Sequence, residues 1–371
     1  PWLLICFYCT FGGFITKYLG DSILALFGKG VLNTADPGAQ FGGLLTNTGN
    51  SVAWMTGYLL LTMVIVFGGV SGGIEKFCKV AMPLLFFMLV IVVVRSCTLP
   101  GAGPGLKFLF SPDLSAWGSA KGFFSVLSSA GGQCFFSLSL SSGFIIAYLD
   151  KKENLESNAA IITFGDSLVA VLAGVAIFPA VFAFGLEPSA GPGLLFVSMT
   201  TVFTSMGAAG KIFQLLFWLL VFFAALSSSI GIMEAGISAI LDSRMKAGKS
   251  VNRVKVTVIM ALAAWCGNFL TTADGLGTSQ NAFFVAFRGL FRQPDVLDVW
   301  DCIAEGILMP LTGLIMAILL GWVVPGYLDD EISNGGTRKF KSRGFYNFCI
   351  KWVGPIFLAM VVYGQLTSFW G

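Results

Sequence analysis

Met82-Pro-Leu-Leu-Phe-Phe-Met-Leu-Val-Ile-Val-Val-Val94 contains no polar side chain. A run of this length and uniformity is no strand, and it matches a helix lying in hydrocarbon about 30 Å thick. The run 215–225 has the same character. Outward from these runs, the 371-residue chain is 56% hydrophobic and 11% charged, whereas soluble domains carry roughly a quarter charged residues. Mean hydropathy is +0.84. No soluble fold could cover that much apolar surface, so the solvent of this chain is lipid. A formal charge of +3 over this length forms no basic stripe, which excludes a nucleic-acid partner.

The eight cysteines (Cys6, Cys9, Cys78, Cys97, Cys134, Cys266, Cys302, Cys349) are scattered and His is absent, so zinc and haem spacings cannot be built. Cys6 and Cys9 form a C-x-x-C, but on an apolar helix that spacing merely puts both thiols on one face. Pro1 enters an apolar run at once, with neither an initiator Met nor a cleavable signal segment before it, and the chain is expected to be a fragment.

Apolar segments separated by Gly, Pro, Asp and Lys clusters predict an all-α polytopic membrane protein with about nine spans, near 1–20, 52–70, 77–98, 119–149, 157–185, 211–242, 254–272, 300–324 and 346–367. Alternate connections, at Lys76 and Lys79, Lys151 and Lys152, Arg244 to Arg253 and Arg338 to Arg343, hold most basic residues and are assigned to the cytoplasm. Two exterior segments, 21–51 and 186–210, are long, and the apolar stretch 194–206 in the second reads as a re-entrant or capping hairpin. Gly68, Gly69, Gly72 and Gly73 give two overlapping G-x-x-x-G spacings that let helices approach closely. Arg95, near an exterior helix end, is expected to snorkel to the interface.

A span in lipid should avoid Gly and clustered hydroxyls at mid-membrane, yet 131–143 reads Gly-Gly-Gln-Cys-Phe-Phe-Ser-Leu-Ser-Leu-Ser-Ser-Gly. A helix broken there would free carbonyls and Ser137, Ser139, Ser141 and Ser142 for a cation or a polar solute. Serines back-bonding within a continuous helix are the alternative. Asp166, in Thr163-Phe-Gly-Asp-Ser167, needs a partner within the membrane. A sodium ligand or charge balance near Ser137 is the functional reading, and a neutral or end-exposed acid the plainer one. Ser227, Ser228 and Ser229 fall on an otherwise apolar span and supply hard oxygens, although serine is also common packing glue. Glu234, Asp298, Asp301 and Glu305 are further acids, candidates for pairing with basic groups across a gate.

Several motifs, in order, resemble one family. They are Gly72-Gly-Ile-Glu-Lys76 with Met82-Pro-Leu-Leu-Phe86, Thr98-Leu-Pro-Gly-Ala102, Gly132-Gln-Cys-Phe-Phe-Ser-Leu-Ser-Leu140, Phe178-Pro-Ala-Val-Phe182, Gly191-Pro-Gly-Leu-Leu-Phe196 and Ser227-Ser-Ser229. Together they resemble the neurotransmitter:sodium symporter family in its bacterial amino-acid branch, over almost the whole chain. The resemblance implies a leucine-transporter-type fold of two inverted five-helix repeats with broken helices, the first repeat truncated and lacking its first two helices. Residues 1–98 would be the remainder of the first repeat, 99–118 an exterior loop, 119–325 the second repeat, and 326–371 a cytoplasmic loop with peripheral helix eleven.

Carried over residue by residue, the resemblance makes Tyr8 the holder of the substrate carboxylate and part of the outer gate. Phe136, Ser139, Ser142, Ser228 and Ile232 become pocket walls. Ser137, also beside the substrate, and Asp166 match first-sodium-site positions. Ala224, through its carbonyl, Ser227 and Ser228 match the second. Gln133 matches a gating glutamine, and Asp301 an outer-gate acid. A fixed carboxylate at Asp166 implies that chloride is not required, since it can replace the anion electrostatically.

The implied activity is sodium-coupled symport of a neutral, hydrophobic or aromatic amino acid by alternating access, in a bacterial inner membrane, with a homodimer allowed. A non-transporting fragment or scaffold, or a sodium symporter of another small solute, are the competing readings. A channel would want a ring of like charges or carbonyls, and none is evident. An enzyme would want a nucleophile and base constellation, which the sequence lacks.

Overall fold

An apolar run in hydrocarbon must satisfy every N–H and C=O within itself, and an α-helix does so segment by segment. The computed structural model, which describes residues 1–29, 36–140, 154–188, 191–333 and 339–370, is helical, with no strand among the described residues. Eight described stretches are long and apolar enough to cross a membrane: Trp2–Leu26, Thr48–Phe67, Gly72–Cys97, Leu155–Ala183, Ala208–Lys246, Arg253–Asp274, Ala282–Val323 and Arg343–Thr367. They coincide with eight of the nine predicted spans. The remaining one, 119–149, is helical over Ala120–Ser137, and its predicted part beyond residue 140 lies outside the described residues.

In chain order, α1 (Trp2–Leu26), α2 (Pro37–Thr46) and α3 (Thr48–Phe67) are followed by α4 (Glu75–Cys97), α5 (Gly103–Phe110) and α6 (Ala120–Ser137). Then come α7 (Leu155–Ala183), α8 (Met199–Ser205), α9 (Ala208–Lys246) and α10 (Arg253–Asp274). The rest are α11 (Ala282–Phe291), α12 (Val296–Asp301), α13 (Met309–Ile318), α14 (Tyr327–Ile332), α15 (Arg343–Phe348) and α16 (Gly354–Trp370). A π-helical segment, Cys302–Leu308, joins α12 to α13, and a second, Leu319–Val323, continues α13.

At the centre stands α1, packed on α3, α9 and α10, with 67% of its apolar window buried against 11% for α7. Lipid gives helices no hydrophobic reason to associate, so close packing and interhelical hydrogen bonds must do it. Asn268 of α10 accepts from the Thr10 amide at 2.9 Å and donates to the Ile5 carbonyl at 2.6 Å. Thr10 and Thr272 hydroxyls meet at 3.0 Å. Gly267 lies so close to Cys6 that a Cβ there would overlap it, which explains why α10 can reach the α1 backbone. Cys6 and Cys9 are buried free thiols in this packing.

The predicted hairpin at 194–206 is a π-helical turn, Leu194–Ser198, leading into α8. Through Phe196 it packs on α1 at Phe11, Phe14 and Tyr18. Phe196, fully buried, stacks on Phe41 at 4.8 Å and on Trp218 at 5.4 Å between ring centroids. In 21–51, α1 runs on to Leu26 and α2 follows, started by Asp36 accepting the Ala39 amide at 2.9 Å.

The Gly68 to Gly73 cluster acts locally rather than between distant helices. Gly69 has φ +71, and a Cβ on Gly73 would overlap the Ile65 carbonyl and touch Gly68. The glycines let the end of α3 fold against the π-helical turn that begins the next span. Arg95 does not simply reach outward: its guanidinium lies over the Phe213 ring, 5.6 Å from the centroid, a cation–π contact with α9.

Candidate functional site

The twist of α9 decides which of its serines reach the interior. Successive residues turn by about 100°, so Ser227, Ser228 and Ser229 point three ways. Ser229 faces α3, where Tyr58 Oη donates to it at 3.1 Å and Thr62 Oγ1 lies 3.1 Å away. Ser227 Oγ donates to the Ala224 carbonyl at 2.8 Å, and Ser228 Oγ reaches the same carbonyl at 3.3 Å. Three oxygens gather on one turn of α9, a hard-donor set of the kind hard cations take.

On the opposite wall, α6 stops at Ser137. Ser139 has φ +50, a left-handed conformation rare in non-glycine residues, and the Leu138 amide closes the last turn on Cys134. The predicted break in 131–143 is present on its described side; Ser141 and Ser142 lie outside the described residues. Gly131 has a further role, since a Cβ there would collide with Val361 and Phe357, so it is also where α16 crosses α6.

Ser137 Oγ lies 2.7 and 2.8 Å from the two carboxylate oxygens of Asp166, in mid-α7. An ionised carboxylate at a membrane helix centre costs about 2.5–3.5 kcal/mol on insertion scales. A single hydroxyl offsets that only in part, and both carboxylate oxygens keep lone pairs for a cation.

Ser137 and Ser228 border one cavity of about 230 Å³. Leu4 and Tyr8 of α1 form one side and Phe136, Ser137 and Ser139 another; Ser228, Gly231 and Ile232 of α9, with Met309 of α13, complete it. The half-buried Tyr8 phenol lies against the Ser228 hydroxyl. Thus Tyr8, Phe136, Ser137, Ser139, Ser228 and Ile232, predicted separately from three segments, share a wall. Asp166, Ala224 and Ser227 stand behind that wall, joined to it through Ser137 and Ser228. No charged side chain lines the cavity among the described residues.

Gln133 and Asp301 do not line it. Gln133 is exposed on α6. Asp301 ends α12 and has Glu305, one turn further on, as its side-chain hydrogen-bond partner. Glu234, by contrast, has found a base. Fully buried on α9, it accepts from Arg253 Nη2 at 2.5 Å and Nη1 at 3.0 Å, while the same guanidinium donates to the Val66 carbonyl at 3.1 Å. One cation ties α3, α9 and α10 together.

Leu4, Gly231 and Met309 were not legible in the sequence. Apolar and small residues in an apolar span carry no signal of their own. The i, i+4 spacing of Leu4 and Tyr8 was the available hint, for it puts both on one face of α1. Among the described residues, no cluster of three or more His, Cys, Asp or Glu could hold a metal.

The sequence pattern of the sodium:neurotransmitter symporter family matches the chain over residues 27–370. This chain belongs to that family. A sodium-dependent transporter of Haemophilus influenzae is 33% identical over 98% of this chain and 76% of its own length. The transporter YhdH of Bacillus subtilis is 30% identical over 97% of this chain and 76% of its own. The crystal structure of MhsT in complex with L-phenylalanine superimposes with a TM-score of 0.81 at 29% identity, covering 98% of this chain and 78% of that one. The fold is therefore the leucine-transporter type. The symporter membership makes the chain an integral membrane protein that couples sodium to movement of a small solute, and no enzyme.

Proposed function

We propose that the solute is a neutral amino acid with a hydrophobic or aromatic side chain. The observation that carries this is the cavity, about 230 Å³, with hydroxyls at Tyr8, Ser137, Ser139 and Ser228 and an apolar remainder at Leu4, Phe136, Ile232 and Met309. It is smaller than the roughly 300 Å³ at which drug-sized pockets begin, so it suits one amino acid rather than a peptide. A wall with no fixed charge favours a solute of no net charge. L-Phenylalanine in the related MhsT supports the same class.

In this reading Tyr8 donates to the substrate carboxylate. Sodium at Ser137 and Asp166 supplies positive charge beside that carboxylate and draws the end of α6 toward α7. A second sodium at Ala224, Ser227 and Ser228 ties the α9 turn to the opposite wall, and Ser142 extends the pocket. Gln133 and Asp301 gate the exterior side. Binding organises the broken helix, and the bundle then rocks to the cytoplasm. Asp166 makes chloride unnecessary. The repeats divide at 1–98 and 119–325, and the membrane is the bacterial inner membrane.

The test is thermal stabilisation of the purified full-length protein by each common amino acid in sodium and in potassium, since a ligand of the folded state raises stability by mass action. Stabilisation by aromatic and aliphatic amino acids in sodium alone is expected. No response to any amino acid would leave another small solute, or a scaffold that does not transport.

A further inference from the structure

We propose that α11 lies in the exterior boundary of the bilayer, with its Phe283, Val285 and Leu290 face sunk at the junction of headgroups and acyl chains. The helix is not needed for crossing. Its neighbours suffice: α10 has 22 residues, and Val296–Val323 rises about 40 Å at 1.5 Å per residue, against a hydrocarbon core of about 30 Å.

Polar contacts hold α11 at the level where those two spans end. Asp274, the last residue of α10 and fully buried, accepts the amides of Gly277 and Val296, each at 3.0 Å. Arg288 is the one charged residue of α11. Its guanidinium turns inward, donating to the carbonyls of Gly277 at 2.6 Å and Ser279 at 2.9 Å, with Asp274 Oδ1 at 3.6 Å. Phe287 faces Trp300, 6.2 Å between centroids.

Between its exposed N-cap Asn281 and C-cap Arg292, α11 itself turns nothing polar outward. The exposed positions are Ala282, Phe283, Val285, Ala286, Gly289 and Leu290, with Phe283 57%, Val285 47% and Leu290 74% accessible. A helix lying in water would carry charged or polar side chains there, whereas one lying in the interface plane turns an apolar face to lipid. The helix also joins two spans, α10 and α12 with α13, whose exposed Leu262, Phe269, Leu311 and Ile315 already belong to the lipid-facing surface. A second copy of the chain is the poorer occupant. Even at about 200 Å² apiece, three partly exposed side chains fall well short of the roughly 800 Å² per partner of a stable interface.

Collision accessibility of a nitroxide at Leu290→Cys decides the matter, in the full-length protein with exposed Cys97, Cys134 and Cys266 replaced by Ser. The protein is placed in vesicles of phosphatidylethanolamine and phosphatidylglycerol. Oxygen, which concentrates in lipid, is expected to collide several-fold more than a water-soluble nickel chelate, as at Leu262→Cys, while Gln280→Cys in the loop shows the reverse order. Nickel dominance at residue 290 would overturn the proposal. Low accessibility to both probes would also overturn it, and dipolar broadening would then identify a second copy on this face. Phe283→Cys, two turns earlier on the same face, repeats the reading should the first label disturb folding.

Discussion

Ser137 presents its hydroxyl to both carboxylate oxygens of Asp166, at 2.7 and 2.8 Å, across the gap between the end of α6 and the middle of α7. The serine is also a wall of the cavity. A carboxyl group outside the cavity is thereby joined to it through a side chain that lines it.

The charge of Asp166 should therefore matter more than its shape. Asp166→Asn keeps the volume and can still accept from Ser137, but it removes the fixed negative charge. Sodium affinity is expected to fall about tenfold or more, equivalent to roughly 1.4 kcal/mol, and chloride is expected to stimulate uptake. Sodium titrations of uptake in chloride and in gluconate check this, and identical curves for the two proteins would remove Asp166 from the ion site.

Tyr8→Phe leaves the ring in place and deletes the hydroxyl beside Ser228. A hydrogen bond to a charged group contributes about 1.5–3 kcal/mol, so substrate affinity is expected to fall by at least about tenfold. Sodium affinity measured without substrate should change less. Equilibrium binding isotherms separate the two, and an unaltered substrate isotherm would place the carboxylate elsewhere.

Arg253→Ala leaves Glu234 buried without its base and the Val66 carbonyl without its donor. Breaking a buried pair from one side typically costs about 3–5 kcal/mol; with Arg253 30% exposed, a loss nearer the lower end is expected. Arg253→Ala combined with Glu234→Gln should recover part of it, because the unpaired charge is gone. Thermal denaturation of the single and double variants tests this. Equal loss in both would mean that packing, not charge, sets the cost.

At the centre of the bundle, Asn268→Leu removes the acceptor of the Thr10 amide and the donor to Ile5 in one substitution. Interhelical polar bonds in membranes contribute about 0.6 kcal/mol on average and up to about 1.7. Because both bonds go at once, a destabilisation in the upper part of that range is expected. Melting temperature in detergent reads it out. Sodium affinity should stay close to that of the parent, since Asn268 touches neither cation set.

Much of the site was legible because it departs from what lipid tolerates. Ser137, Ser139 and Asp166 stand out in apolar spans, Phe136 and Ser228 lie in ordered motifs, and Tyr8 and Ile232 were carried over from the family resemblance. Met309, Leu4 and Gly231 could not be found that way: in an apolar span their residue types are unremarkable, and only position makes them walls. Gly131 shows the complementary difficulty, for its residue type reads equally as a broken helix and as a crossing point for α16; α6 runs unbroken through it to Ser137, and the structure uses it as the crossing.

The order and approximate position of eight spans followed from the sequence alone, because each membrane helix satisfies its own backbone and hydropathy is a local property. Which helices touch did not. Asn268 finding Thr10, Arg253 finding both Glu234 and Val66, and α1, α6, α9 and α13 enclosing one cavity are relations between residues far apart in the chain. The tertiary structure decided them, since lipid leaves the choice of neighbour to close packing and to the few polar groups that must find one another.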